Sequence, residues 1–107
     1  MSKKPLESNF ASKVDNFCKE LPSSCWFNIQ QASIRGTPDR LGVVSGRFVA
    51  LELKRSEEAQ HSRGAALQKY YISKLNAAGA YARIIYPENW AEIKNDLLSL
   101  TVSVKDN

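Results

Sequence analysis

Apolar and polar positions alternate in blocks that change period along the chain. Residues 5–20 read as an amphipathic helix: Pro5 suits a first turn, and Leu6, Phe10, Val14, Phe17, Cys18 and Leu21 recur at helical spacing. Pro22 ends it. Cys25 to Gln30 reads as a strand that leads into a polar loop, Gln31 to Pro38. Two further strands, about 40–44 and 47–53, are joined at Ser45-Gly46, a hairpin-turn dipeptide. After the polar stretch Ser56 to Gly64, Ala65 to Ala78 reads as a second helix with Gly79 as its C-terminal stop. Ala80 to Tyr86 is an apolar strand, and Pro87 opens a last helix with Trp90, Ile93, Leu97 and Leu98 in one stripe. The order αβββαβα predicts an α/β fold, helices packed on a sheet. With 107 residues and no internal repeat, a single domain over residues 1–107 is expected.

The hairpin draws attention because it carries acids in an otherwise apolar run, "TPDRLGVVSGRFVALELKR". A turn centred on Ser45-Gly46 sets Val44 against Arg47, and the same count sets Asp39 against Glu52, roughly 5 Å apart if the pairing extends that far. Facing carboxylates repel, so either a cation lies between them or one holds a proton. Lys54 lies two residues beyond Glu52 and therefore on the same side of the strand. Two carboxylates suit a hard cation such as Mg²⁺, and the amine could hold a water or meet charge growing on a phosphate. The competing reading is an exposed strand face with weak surface ion pairs.

The helices add two polar residues where apolar ones are expected. At about 100° per residue, Leu6, Phe10, Ala11, Val14, Phe17, Cys18 and Leu21 fill an arc of roughly 140°, and Glu7 falls inside it. In the second helix Leu67, Tyr71, Ile72, Leu75 and Ala78 define the arc, and Gln68 falls inside that one. Buried acids and amides need partners, so both side chains are expected to turn toward the sheet face that carries Asp39, Glu52 and Lys54. Alternatively, Glu7 in a first turn favours the helix dipole and turns to solvent.

Composition changes this picture little. With 43% hydrophobic and 24% charged residues the chain is ordinary for a soluble domain. No apolar run approaches the roughly 18 residues of a membrane span and no signal-peptide pattern opens the chain, so a cytoplasmic protein is expected. Cys18 and Cys25 lack CxxC spacing and read as reduced, with a disulfide the lesser alternative. His61 is the sole histidine, which argues against a zinc site. Tyr70 lies off the apolar arc, as surface or as a platform for a base. The net charge of +4 and the basic residues of the middle point to a polyanionic partner or to a solvated basic face.

"GTPD" at 36–39, "ELK" at 52–54 in an apolar strand and Gln68 opening a helix together resemble the PD-(D/E)XK nuclease superfamily. The likeness is to small phage-type virus-type replication-repair nuclease (VRR-NUC) domains and their Holliday-junction-resolvase-like relatives, and it spans Glu7 to about Trp90. It implies a restriction-endonuclease-like αβββαβ core, a mixed sheet flanked by helices. It implies Asp39, Glu52 and the Leu53 carbonyl as metal ligands, Glu7 on a metal or its waters, Lys54 positioning the attacking water, and Gln68 bracing the site. The cofactor implied is Mg²⁺, with Mn²⁺ substituting, and the activity is phosphodiester hydrolysis in DNA repair, recombination or replication. Branched or four-way DNA is the expected substrate, a homodimer the expected assembly, and a bacterial or phage-infected cell the setting. Arg35, Arg40, Arg55, Arg63 and Lys69 are the expected phosphate contacts. Two other classes remain open: a non-catalytic DNA-binding protein of the same fold, and a structural or inhibitory phage protein.

Overall fold

The computed structural model describes residues 6–30, 32–58 and 64–102; of Leu6, Glu7, Ser8 and Val102 it describes the backbone. The elements are α1 (Leu6–Glu20), β1 (Ser24–Asn28), β2 (Arg40–Val44), β3 (Arg47–Leu53), α2 (Ala65–Ala77), β4 (Tyr81–Ile85), a 3-10 turn (Pro87–Asn89) and α3 (Trp90–Val102). The strands form one sheet in the order β1-β2-β3-β4. The first two pairings are antiparallel and β3 with β4 is parallel, so the fold is mixed α/β with a mixed sheet flanked by helices.

Local chemistry explains the boundaries. Ser45 and Gly46 have φ of 50° and 86°, the paired left-handed residues a type I′ turn requires. They fix the hairpin register from Val44↔Arg47 to Arg40↔Leu51, as the turn predicted. β1 begins one residue earlier than expected and ends at Asn28 rather than Gln30. The Ser24 hydroxyl anchors that start, donating to the Leu21 carbonyl at 2.7 Å and accepting from Trp26 Nε1 at 3.0 Å. Pro87 opens a 3-10 turn before the last helix, where Asn89 Oδ1 accepts from the Tyr86 N–H at 2.9 Å.

Strand alternation divides the sheet into two unlike faces. Val49, Leu51 and Leu53 of β3 point to one face and join Phe10, Val14, Cys18 and Leu21 of α1 with Trp90, Ile93 and Leu97 of α3 in the apolar core. Phe10 and Phe17 both set ring edges against Trp90, with centroids 5.9 and 5.4 Å apart. The alternate residues, Ala50 and Glu52, point to the other face, where α2 crosses from β3 to β4. Ala50 and Ala82 pair in the sheet and are fully buried, small enough to let a helix approach closely.

Two expectations need correction here. α1 packs on the face opposite Glu52, so among the described helices α2 alone covers the acid-bearing face. The apolar arc of α2 is also poorly covered: Tyr71, Ile72 and Leu75 are half-buried, and Leu67 and Ala78 are exposed. One helix is about 10 Å wide and strands lie about 4.8 Å apart, so α2 shields two strands and not four.

Candidate active site

β1 and β3 run in the same direction, and α1 ends where β1 begins. The first turn of α1, the last residues of β3 and the start of α2 therefore gather at one end of the sheet. Glu7 belongs to that first turn, but its side chain lies outside the described residues.

At this end Glu52 is the one buried charged side chain among the described residues, 4% exposed. Its Oε2 lies 3.7 Å from Lys54 Nζ, and its Oε1 is buried without a hydrogen-bond partner. Burial pushes the Glu52 carboxyl up to about 7, with the Asp39 charge adding to the rise; Lys54 and the Asp39 backbone pull it partly back. This is the repulsion that facing acids should produce.

Asp39 is held differently from the simple facing pair. The ladder stops at Arg40↔Leu51, and Asp39 Oδ2 accepts from the Leu53 backbone N–H at 3.0 Å. The Asp39 carbonyl accepts from the Ile29 N–H at 2.8 Å, tying β1 to the same point. The loop before it is pinned by its glycine. Gly36 has φ of 89°, and a Cβ there would come within 2.9 Å of Leu67 Cγ and 3.1 Å of Tyr71 Cδ2. A glycine is thus required for the loop to lie on α2 and carry buried Pro38 and then Asp39 to the end of β3. Thr37 closes the turn by donating its hydroxyl to the Ile34 carbonyl at 2.7 Å.

Gln68 lies in the first part of α2, half-buried, and its Oε1 is buried without a partner. Two orphaned oxygens, on Glu52 and Gln68, thus occur on the α2 side of the sheet. Buried oxygens left unpaired destabilise a fold, and both are acceptors that a cation or its waters would satisfy. Among the described residues no group of three or more His, Cys, Asp or Glu side chains is placed to hold a metal. Asp39 and Glu52 make two carboxylates, and an oxygen-only set of this kind suits Mg²⁺ or Mn²⁺.

The expected phosphate contacts separate. Arg35, Arg55 and Lys69 are exposed, whereas Arg63, like His61, lies outside the described residues. Arg40 is a correction: it grips Asp15 of α1 through Nε at 2.7 Å and Nη2 at 3.1 Å, on the closed face of the sheet. Its side chain is 15% exposed and braces helix to strand, so it offers no open fork to a phosphate. Lys13 and Asn9 went unremarked in the sequence. They line a cleft of about 430 Å³ with Arg55, Ser56, Pro87 and Glu88, just past Lys54. The available signal was their i,i+4 spacing on α1, one face of the helix.

The chain matches no known family, and no characterised protein or solved structure is similar to it at a significant level. No helix among the described residues is long and apolar enough to cross a membrane.

Proposed function

We propose that the protein is a metal-dependent DNA endonuclease with a PD-(D/E)XK-type core, acting on branched DNA. One observation carries the reading: buried Glu52, with an orphaned oxygen, beside Asp39 and Lys54 at one end of the sheet. A purely structural carboxylate so placed would leave an unpaired buried oxygen with nothing to offset it.

Asp39 and Glu52, with the Leu53 carbonyl, would hold Mg²⁺, and Glu7 would reach the ion or its waters. When bound, the ion would neutralise charge on the phosphate and make a water more acidic. Lys54 orients the attacking water and meets the negative charge that develops on the phosphoryl oxygens. Water forms a new bond to phosphorus as the bond to O3′ breaks, leaving a 5′-phosphate and a 3′-hydroxyl. Gln68 would brace the site, its unpaired Oε1 accepting from a water of the ion. Exposed Arg55, with Lys13 across the cleft, draws the DNA backbone past the site, while Arg35 and Lys69 extend the basic surface.

The test is a cleavage assay with Mg²⁺ on four-way, flapped, nicked and linear DNAs, with Asp39→Asn as control. Cleavage that needs the metal and is lost in the variant supports the reading. Salt-sensitive DNA binding without cleavage would favour the non-catalytic binding protein instead.

A further inference from the structure

A hollow opens beside the acids, on the α2 side of the sheet. It measures about 170 Å³ and is walled by Ile34 and Pro38 of the loop, Leu41 and Phe48 of the sheet, and Tyr71 and Leu75 of α2. Leu41 pairs with Ala50, and Glu52 follows two residues along β3, roughly 7 Å away on the same face. Pro38 directly precedes Asp39. The walls are held in place. Tyr71 meets the Tyr70 ring edge-on, with centroids 5.1 Å apart. The Ile34 carbonyl accepts from the Thr37 hydroxyl at 2.7 Å, and Gly36 packs against Leu67 and Tyr71. Ile34 and Phe48 remain 56% and 40% exposed, so the mouth is open to solvent.

We propose that the hollow takes one unpaired nucleobase of the cleaved strand, from the nucleotide next to the phosphate that is cut. The identity of this occupant rests on reading the neighbouring site as one that acts on DNA. Apolar walls with two aromatic rings cover the faces of a base, and the open mouth leaves its polar edge in water. No carboxylate lines the hollow, and exposed Arg35, which follows Ile34 in the chain, supplies a cation for the phosphate of the same nucleotide. The spacing agrees. Stacked bases repeat every ~3.4 Å along a strand, so ~7 Å is within reach of one nucleotide that has left the stack.

A protein partner fits less well. A stable contact takes roughly 800 Å² per side, and only two walls of the hollow, Ile34 and Phe48, are well exposed. Stacking is indifferent to which base is held, and extruding a base costs least where it is already unpaired. The hollow therefore selects by structure and not by sequence. It favours strands with a bulge, a mismatch or a single-stranded junction beside the cut.

The test uses the intact chain and a fluorescein-labelled duplex with one unpaired thymine. The same duplex with an abasic site at that position serves as its counterpart. In metal-free anisotropy titrations the thymine duplex should bind about 10-fold more tightly than the abasic one. Phe48→Ala and Ile34→Ala, both at exposed positions that the fold tolerates, should each bring this ratio toward one. Equal affinities in the native protein, or no binding of either duplex, overturn the proposal. So does a ratio that both variants leave intact, because the base would then lie elsewhere. If Phe48→Ala changes the sedimentation coefficient and not the ratio, the hollow holds a second copy and the proposal falls. Adding Mg²⁺ then separates the two readings. A cut within one nucleotide of the thymine supports the inference, and a cut several nucleotides away overturns it. Failure to cut, with the binding ratio intact, sinks the nuclease reading and leaves the base site standing.

Discussion

One strand serves two unlike surfaces. Val49, Leu51 and Leu53 face a layer of two helices, are at most 3% exposed and belong to the apolar core. Ala50 and Glu52 alternate with them and face a layer of one helix, where Glu52 and Gln68 keep orphaned oxygens and the β1–β2 half is bare. The closed face holds the fold together. The open face is left short of apolar burial and of hydrogen-bond partners, the two things a ligand or a second chain supplies. Adjacent residues of β3 should therefore respond to substitution in opposite ways.

The largest expected effect is on chemistry. Asp39→Asn and Glu52→Gln should each reduce cleavage by about 10³-fold or more with folding intact, because each removes a ligand charge. DNA binding should survive, since less negative charge meets the phosphates. Lys54→Ala should lower kcat by orders of magnitude with little change in the Mg²⁺ concentration required. Leu51→Ala, one residue from Glu52, should behave in reverse, losing about 2–5 kcal/mol in denaturant unfolding. Its specific activity while folded should be retained. Full activity in both acid variants, or an intact fold in Glu52→Gln without loss of cleavage, removes the site from the open face.

A smaller effect separates the faces without any activity measurement. The Glu52 carboxyl is raised from 4.5 to about 7 in the metal-free protein, chiefly by burial. The folded chain therefore binds the proton more tightly than the unfolded chain, and stability should fall as pH rises from about 4.5 through 7. The contribution is on the order of 3 kcal/mol at most. It is read as the difference between the native chain and Glu52→Gln, since the amide cannot titrate. Added Mg²⁺ should restore stability at pH 8 more than at pH 5, because it competes with the proton for the carboxylate. A difference curve that is flat with pH would mean that Glu52 is solvated.

These contrasts also show which parts could be read from the chain. The hairpin was legible because a two-residue turn leaves one register, and that register brings Asp39 beside the end of β3. Gln68 was legible from helical phase, since its arc position matches its half-buried place on α2. Phase says which residues share an arc, however, and not which side of a sheet the arc meets. That is why α1 was expected on the acid-bearing face and lies on the other. The apolar arc of α2 was overread for a related reason: the pattern gives no width, and one helix cannot cover four strands. Arg40 was misjudged although its parity was available, because it alternates with Gly42 and Val44 and so shares their closed face.

Arg40 and Arg55 give the finest test, because both were read from sequence as phosphate contacts and the structure separates them. Arg40 holds Asp15 in a two-pronged bond between β2 and α1, with Asp15 39% exposed, so solvent weakens the pair. Arg40→Gln should lower stability by about 1 kcal/mol, within the range for a charged pair that is partly wet. It should leave the dependence of DNA affinity on salt unchanged. Arg55 is exposed and lines the cleft past Lys54. Arg55→Gln should leave unfolding untouched and reduce the slope of log affinity against log salt by about 1, the release of one counterion. Paired melting curves and salt titrations on the two variants decide the matter. Should Arg40→Gln change the salt slope while Arg55→Gln does not, the DNA runs along the closed side of β2 and not through the cleft at the end of β3.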